Sequence, residues 1–467
     1  MRNKKFGRTW YQANDTAAME RKLEQMAEKG WLLEKVTNWG WHYRRGEPCA
    51  AKYAVTYFPD ASVFDGAPTA GQETYADYCA AAGWEFVSAY GPMQFFRSTR
   101  PDPTPIETDE AEKLQAIHKS MLKTMVLSYG LLTVSVLLNL FVRISNLKYN
   151  ALSFLSSNGS IALFALIVVM LVYLLAFLAD YFIWYHRSKR AVERGEACLQ
   201  PHTKARLWAS YLLVIICALA ILAWLTDIST PGMAWAWVYC FGGTALLLAV
   251  SQGVMALMKK RGAPRESTRT AFIIAVILLS IVYAGSLIPL VDHLREAGLM
   301  QERQPAYIYT EESDGMAYEW EVYQDPIPLK MEDLGQTITA EDHSSYYADF
   351  SRSLLAKVSA YTQNPRSTQN QDEYLDYEIA EIRWDWLRKL CLENMVSPRK
   401  FARGLFTIRY DLVEDPRWGA DAVYVRQNSE ESTRVVLSYS DRIVTFSASW
   451  RLTDDQVAAA VKKLNLT

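Results

Sequence analysis

The sequence predicts a multi-domain membrane protein. It is expected to have an α+β domain over residues 1–100, a linker over 101–120, five transmembrane helices over 121–291, and a second α+β domain over 292–467. Three observations lead there. Five long apolar runs follow one another in the middle of the chain, the loops between them alternate in basic charge, and both flanking segments have the mixed composition of water-soluble domains.

The first hundred residues contain a repeat. Shifted by 53 positions, EQMAEKGWLLEKVTNWGWHYR lies over DYCAAAGWEFVSAYGPMQFFR without a gap. Glu20 coincides with Glu73, Ala27 with Ala80, Gly30 with Gly83, Trp31 with Trp84 and Arg44 with Arg97, and Tyr43 lies over Phe96. Each half opens with helix signals. In the first, Asn14 or Asp15 supplies a cap, and Met19, Leu23 and Met26 recur on one face. The glycine that follows suits the left-handed residue past a helix end. The Trp after it starts an aromatic, β-branched run that reads as a strand. Arg45-Gly46-Glu47-Pro48 reads as a hairpin turn before an alternating strand carrying Tyr53, Val55 and Tyr57. A duplicated strand–helix–strand unit of this order resembles a ferredoxin-like sandwich. The plain role for each Trp is to fill the helix–sheet core, with each Arg ending a strand at the surface. The alternative is a ligand groove to which Trp10, Tyr11, Trp39 and Trp41 would add aromatic surface.

These residues carry a family resemblance. The Gly-Trp pair after an amphipathic helix, the Tyr43-Arg44-Arg45-Gly46-Glu47-Pro48 turn and the second Gly83-Trp84-Glu85 resemble the bacterial family of domains of unknown function 2812, found mainly in Gram-positive bacteria. The resemblance covers about the first hundred residues. It implies membrane spans after the domain and genes often placed near PadR-like transcriptional regulators. It implies no established activity and supplies no catalytic residues.

The N-terminal stretch MRNKKFGRTWYQAND is positive but has no apolar run behind it, so a cleaved secretory signal is not expected and the N-terminus is placed in the cytoplasm. PDPTPIETDEAEK then reads as a short exposed spacer. Runs at 121–142, 161–185, 207–226, 233–258 and 271–291 each offer the roughly 20 residues that cross a hydrocarbon layer about 30 Å thick. Arg187, Lys189, Arg190, Arg194, Lys204 and Arg206 fill the loop after the second run, and Lys259, Lys260, Arg261, Arg265 and Arg269 fill the loop after the fourth. The loop after the first run has only Arg143 and Lys148, and DISTPG after the third has no basic residue. The positive-inside rule therefore puts the N-terminus in the cytoplasm and, after five crossings, the C-terminus outside the cell membrane. Trp184, Tyr185, Trp224, Trp235 and Trp237 fall near run ends, where amphipathic rings favour the headgroup layer.

Polar residues within the runs are few. Asp180 is the carboxylate deepest in a run, Gln252 falls at a similar depth, and Asn139 lies toward the outer face. Because an intramembrane ionisable group is costly, it is a functional hypothesis until a partner is named. An inter-helix hydrogen bond from Gln252 to Asp180 is the plain alternative to a transport path. Ala245, Ala249 and Gly253 form a small-residue stripe that suits close helix packing or a homo-oligomer, and Pro289 is expected to kink the fifth helix.

From Asp292 onward, 30 acidic residues face 20 basic ones. MAYEWEVY reads as a strand, WDWLRKLCLENM as a helix, and DAVYVRQ, TRVVLSYS and RIVTFSASW as a meander. Thr453 to Gln456 forms a capping box before a final helix. The segment 342–374 resists assignment and is expected to combine a helical part with a mobile loop. Cys391 is the lone cysteine here, so no internal disulfide is expected. His343 beside Glu341 and Asp342 suggests either a solvated acidic turn or a metal ligand, and the turn is the simpler choice.

No catalytic motif, metal-ligand spacing or phosphate-binding glycine loop appears, and the basic residues lack the aromatic interleaving of a nucleic-acid surface. No catalytic, cofactor-binding or metal residues are therefore assigned, and no cofactor. The expectation is a non-enzymatic membrane protein, a sensor, regulatory or assembly component coupling an outer domain to a cytoplasmic one. Its partners would be the lipid bilayer and a cytoplasmic protein bound through residues 1–100. Two alternatives stand beside it: a transporter subunit or permease accessory using Asp180 and Gln252, and an enzyme with an unrecognised outer site.

Overall fold

A computed structural model describes residues 3–7, 11, 14–37, 40–201, 203–225, 231–299, 303–313, 316–365, 373–401, 406–429 and 431–466. Trp10 and Trp39 lie outside the described residues. The chain forms two compact units, one of residues 1–138, 167–218 and 232–297, the other of 139–166, 219–231 and 298–467.

The first unit begins with the repeat. Strand β1 (Lys4–Gly7), helix α1 (Thr16–Glu28), β2 (Trp31–Thr37) and β3 (Gly40–Arg45) are followed by β4 (Lys52–Tyr57), α2 (Ala70–Ala81), β5 (Glu85–Tyr90) and β6 (Met93–Ser98). Each half builds its own three-stranded antiparallel sheet, β1-β3-β2 and β4-β6-β5. The ferredoxin-like single sandwich therefore gives way to two sheets. The turn expected at Arg45–Pro48 is no hairpin, because β3 and β4 belong to different sheets. The chain is instead held there by Gly46 N–H donating to Gly30 O at 3.0 Å and Cys49 N–H to Ala27 O at 3.2 Å.

The duplication reaches the hydrogen-bond register. Leu32 faces Arg44 and Leu33 faces Tyr43, the register slips between Leu33 and Lys35, and Lys35 faces His42. In the second half Glu85 faces Arg97, Phe86 faces Phe96, the register slips between Phe86 and Ser88, and Ser88 faces Phe95. Every one of these positions is displaced by 53, including the bulge, a feature that bends a strand and re-aims its side chains. The helix-ending glycines match as well. Gly30 (φ 74°) and Gly83 (φ 90°) are left-handed and donate to Ala27 O and Ala80 O, each at 2.9 Å. Helix α1 packs over both sheets, burying Met19, Leu23 and Met26 against Tyr43, Tyr53, Val55 and Phe95. The bulged strands meet where Val36 N–H donates to Ser88 Oγ at 3.1 Å.

The expected spacer ends at Asp109, whose side chain caps α3 (Glu110–Met121) by accepting from Ala111 N–H at 2.7 Å. A five-residue π-helical segment (Leu122–Val126) leads into α4 (Leu127–Tyr149), then α5 (Ala151–Leu155), α6 (Asn158–Glu193), α7 (Thr203–Leu225), α8 (Pro231–Lys260), α9 (Arg265–Gly285) and α10 (Leu287–Glu296). Among the described residues, four stretches are long and apolar enough to cross a membrane: Glu110–Tyr149, Asn158–Glu193, Val238–Lys260 and Arg265–Glu296. The third run of the sequence is the apolar α7, described in side-chain detail over Arg206–Leu222. The last span breaks between Gly285 and Leu287. Pro289 explains the break, since its ring collides with the carbonyl four residues earlier, that of Gly285.

The second unit centres on a seven-stranded antiparallel sheet. Its strands are β9 (Ser345–Arg352), β10 (Ala356–Asn364), β11 (Leu375–Ile382), β14 (Tyr410–Val413), β15 (Ala422–Arg426), β16 (Thr433–Ser438) and β17 (Arg442–Ala448), in the order β14-β15-β16-β17-β11-β10-β9. Two hairpins accompany it, β7 (Tyr307–Ser313) with β8 (Met316–Val322) and β12 (Arg399–Phe401) with β13 (Phe406–Ile408). Where a helical part was expected the unassigned segment forms the β9–β10 hairpin, and the expected loop falls on positions 366–372, outside the described residues.

Both faces of this sheet are covered. Successive residues of a strand point to opposite faces, so Val435, Leu437 and Val444 join one core while Val436 and Ile443 join the other. Helix α12 (Asp454–Lys463) closes the first face with Val457, Ala460 and Val461. Helix α11 (Asp385–Val396) and the short α5 close the second with Leu387, Cys391, Leu152 and Leu155. The capping box read from Thr453 and Gln456 is present, at 3.0 and 3.4 Å.

Candidate functional site

The two repeats dock onto the apolar helices through equivalent connections, the strand-to-helix loop of each half. In the first repeat that loop ends at Asn14 and Asp15. Their side chains do not cap α1, whose first turn is closed by Asp15 O accepting from Ala18 N–H and Met19 N–H at 3.0 Å. They turn instead to Arg206 at the start of α7. Arg206 Nη1 donates to Asn14 Oδ1 at 3.0 Å and lies 3.4 Å from Asp15 Oδ1, while its Nε donates to Asp180 Oδ2 of α6 at 2.5 Å. One guanidinium thus joins two apolar helices to the folded domain. The Asp15 side chain is 1 % exposed and that of Arg206 11 %, whereas that of Asp180 is 46 % exposed. Because the Asp15 carboxylate is buried, loss of the Arg206 cation would leave it as an uncompensated charge, whereas Asp180 is the more exposed partner.

In the second repeat the corresponding loop is residues 58–69. Lys123 Nζ donates to Pro59 O at 3.1 Å, Arg265 Nη1 donates to Asp60 O at 2.9 Å, and Lys259 Nζ donates to Val63 O. Phe64 packs on Phe272 with ring centroids 5.7 Å apart. A Cβ on Gly66 would come within 3.3 Å of the Lys259 carbonyl, so the loop passes close against the end of α8. Three basic residues at the ends of the apolar runs therefore also act as docking ligands for carbonyl groups.

Between these two contacts α3 packs Leu114, Ile117 and Met121 against Tyr57, Tyr181 and Trp184. At its head lie Glu20, Glu107 and Glu110 around Lys113. Glu20 accepts from Val55 N–H at 2.9 Å, and burial pushes its carboxyl above the ordinary range. Burial also pushes Glu107 up to about 7, aided by the Glu20 and Glu110 carboxylates and opposed by Lys113 and a hydrogen bond to the Tyr57 backbone.

The remaining predicted residues separate. Gln252 lines an open groove between the folded domain and α8, and Asp180 is bonded to Arg206 instead. Asn139 is on an exposed face of α4. Ala245, Ala249 and Gly253 are all exposed, and the α8–α9 contact runs instead through Gly243 against Tyr283 and through Tyr239 stacked on Tyr283 at 5.0 Å. Trp84 is buried and donates to Thr104 O at 2.8 Å. Trp31 is half-buried between the Lys5 ammonium and the Arg45 guanidinium, 5.5 and 5.2 Å from its ring. Arg44 is exposed, and Arg97 pairs with Glu85 at 2.5 Å. Trp41 is buried and stacks on Tyr11. In the second unit His343 stacks on Tyr309 at 3.9 Å, and Asp342 accepts from Thr339 N–H. Among the described residues no group of three His, Cys, Asp or Glu side chains gathers in a metal-binding arrangement.

Sequence reasoning missed the docking roles of Arg206, Asn14 and Asp15. The available signal was Arg206 itself, which stands at the start of an apolar run that follows the run whose C-terminal half carries Asp180.

Apolar helices tied in this way to a duplicated α+β domain define a multi-pass membrane protein. Residues 15–129 match the family model described as "Protein of unknown function (DUF2812)", so the chain carries a domain of that family. The match runs beyond the second repeat, through α3 and into the start of α4. No curated protein and no solved structure matches the chain.

Proposed function

We propose that this is a non-enzymatic membrane coupling protein, a sensor, regulatory or assembly component in which α4 to α10 relay a change in the C-terminal domain to the duplicated N-terminal domain. The observation that carries this reading is the Arg206 cluster, which binds helix α6, helix α7 and the head of α1 through one side chain. A domain held by charge-assisted bonds to two helices must respond when those helices shift, and its equivalent loop on Lys123, Lys259 and Arg265 supplies a second point of leverage.

The topology proposed with it has five crossings. The apolar part of helix α7, from position 207 to its end at Leu225, is about 28 Å long at about 1.5 Å per residue, close to the thickness of the hydrocarbon layer. With α7 counted, the proposed topology has the N-terminal domain in the cytoplasm and the C-terminal domain outside, a reading supported by the basic loops at 186–206 and 259–269. A cytoplasmic protein is then the natural partner of the N-terminal domain. The transport alternative loses its main motive, since the Asp180 carboxylate is engaged by Arg206.

Hydrogen exchange of the full-length protein in lipid nanodiscs tests the coupling. Leu375→Ala, which loosens the core of the seven-stranded sheet, should change protection in residues 14–20 and 58–69, and adding Arg206→Gln should erase the change at 14–20. Unaltered protection in both segments would mean two independent modules and would end the coupling reading.

A further inference from the structure

We infer that the groove between strands β2 and β5 and the end of α8 holds the headgroup of an anionic phospholipid. It has a volume of about 1950 Å³ and is wide open, larger than the roughly 300–1,000 Å³ of a typical enclosed small-molecule site. Its walls differ in character. Lys4, Lys5 and Lys35 stand exposed on the sheet side, and Lys260 stands exposed on the helix side. Lys259 is tied to Val63 O. Of the acidic side chains in the lining, Asp65 is engaged by Arg265 at 3.9 Å and by Ser62 N–H at 2.7 Å, and Glu34 is exposed at the edge. The excess of ammonium groups selects an anion.

Two features select a lipid over a soluble anion. Gln252, Gly253, Met255 and Ala256 form the α8 wall, so the groove opens onto the last turns of an apolar helix where a bilayer gives way to its headgroups. Phe6 and Phe86, 50 % and 37 % exposed, add apolar surface opposite, suited to the glycerol and first methylenes of an acyl chain. Basic pockets at the cytoplasmic ends of membrane helices recognise acidic headgroups in this manner. The bulges at Glu34 and Val87 bend β2 and β5 at the groove, which gives the repeated irregularity a use. The inference rests on the proposed membrane placement of α8 but not on the number of crossings.

Native mass spectrometry of the full-length protein in detergent tests it, with phosphatidylglycerol and phosphatidylcholine of identical acyl chains added at equal concentration. The wild type should retain phosphatidylglycerol at least about tenfold better, given a gain of about fivefold per lysine near an anionic headgroup. Lys4→Gln/Lys5→Gln/Lys35→Gln should leave no more than the roughly fivefold preference that Lys260 supplies. Lys260→Gln, on the opposite wall, should lower the preference about fivefold and serves if the triple variant does not fold. Equal retention of both lipids by the wild type, or full preference in both variants, would overturn the inference. Displacement of phosphatidylglycerol by millimolar inorganic phosphate would overturn it too, by making this a soluble-anion site. Crossing number is read independently by terminal reporters, so failure of one reading does not mask the other.

Discussion

Arg206 and Asp180, 26 positions apart on consecutive helices, meet with Nε 2.5 Å from Oδ2, and the same guanidinium reaches Asn14 of the folded domain. Its two carboxylate partners are unequal, since the Asp15 side chain is buried and that of Asp180 is nearly half exposed. Arg206→Gln removes the cation beside a buried carboxylate and should destabilise the first unit by about 2–4 kcal/mol. Asp180→Asn removes the more exposed carboxylate and keeps the cation beside Asp15, so it should cost less than Arg206→Gln. Thermal unfolding in detergent, followed by the intrinsic fluorescence of the many tryptophans, should rank the variants in that order; equal effects would contradict the division of labour within the cluster.

The matched glycines should not respond alike. Both are left-handed, which costs a residue bearing a Cβ about 1–2 kcal/mol. At Gly30 the new methyl would also lie 2.8 Å from the Gly46 carbonyl oxygen, a backbone atom that cannot easily retreat, whereas at Gly83 it meets the Arg100 guanidinium, the far end of a flexible side chain. Gly30→Ala should therefore lower the melting temperature clearly more than Gly83→Ala.

Glu107 predicts a pH dependence with a definite sign. Its carboxyl is raised from 4.5 to about 7 in the folded protein, so the unfolded chain gives up its proton first. Stability is then highest at low pH with respect to this group, falls as pH rises from about 4.5 to about 7, and levels off above. Glu107→Gln keeps the shape without the charge. It should raise stability at pH 8 by about 1–2 kcal/mol, with allowance for partial solvent access, and leave it unchanged near pH 4.5. Melting curves of both proteins at the two pH values check this, and a gain that is the same at both would refute it.

Much of this architecture is legible in the residues, because burial in lipid and helix termination are local problems. The apolar runs, the break near Pro289, the capping box at Thr453 and the repeat anchored on Gly30 and Gly83 all follow from short-range sterics and periodicity. What escaped is set at long range. The separation of β3 from β4 into two sheets depends on Gly46 bonding to Gly30, and the shared bulge depends on cross-strand register, neither of which a propensity expresses. The strands at 433–438 and 442–448 read as a meander, yet their near-continuous apolar character also meant cover on both faces, supplied by α12 and by α5 and α11. The candidate site escaped for the same reason. Asn14 and Asp15 look like ordinary cap residues, and Lys123, Lys259 and Arg265 look like orientation charges, until folding brings them to the helix ends.

The central claim is that the N-terminal and C-terminal domains occupy opposite sides of the membrane, which turns on whether α7 is a crossing. Paired fusions of alkaline phosphatase and of a fluorescent protein after Thr467, expressed in a bacterial host, test it most directly. Five crossings predict an active phosphatase and a dark fluorescent protein at this end, with the reverse pattern for fusions ahead of Met1. Bright fluorescence and an inactive phosphatase at Thr467, with the same pattern at Met1, would leave both domains on one side and contradict the account.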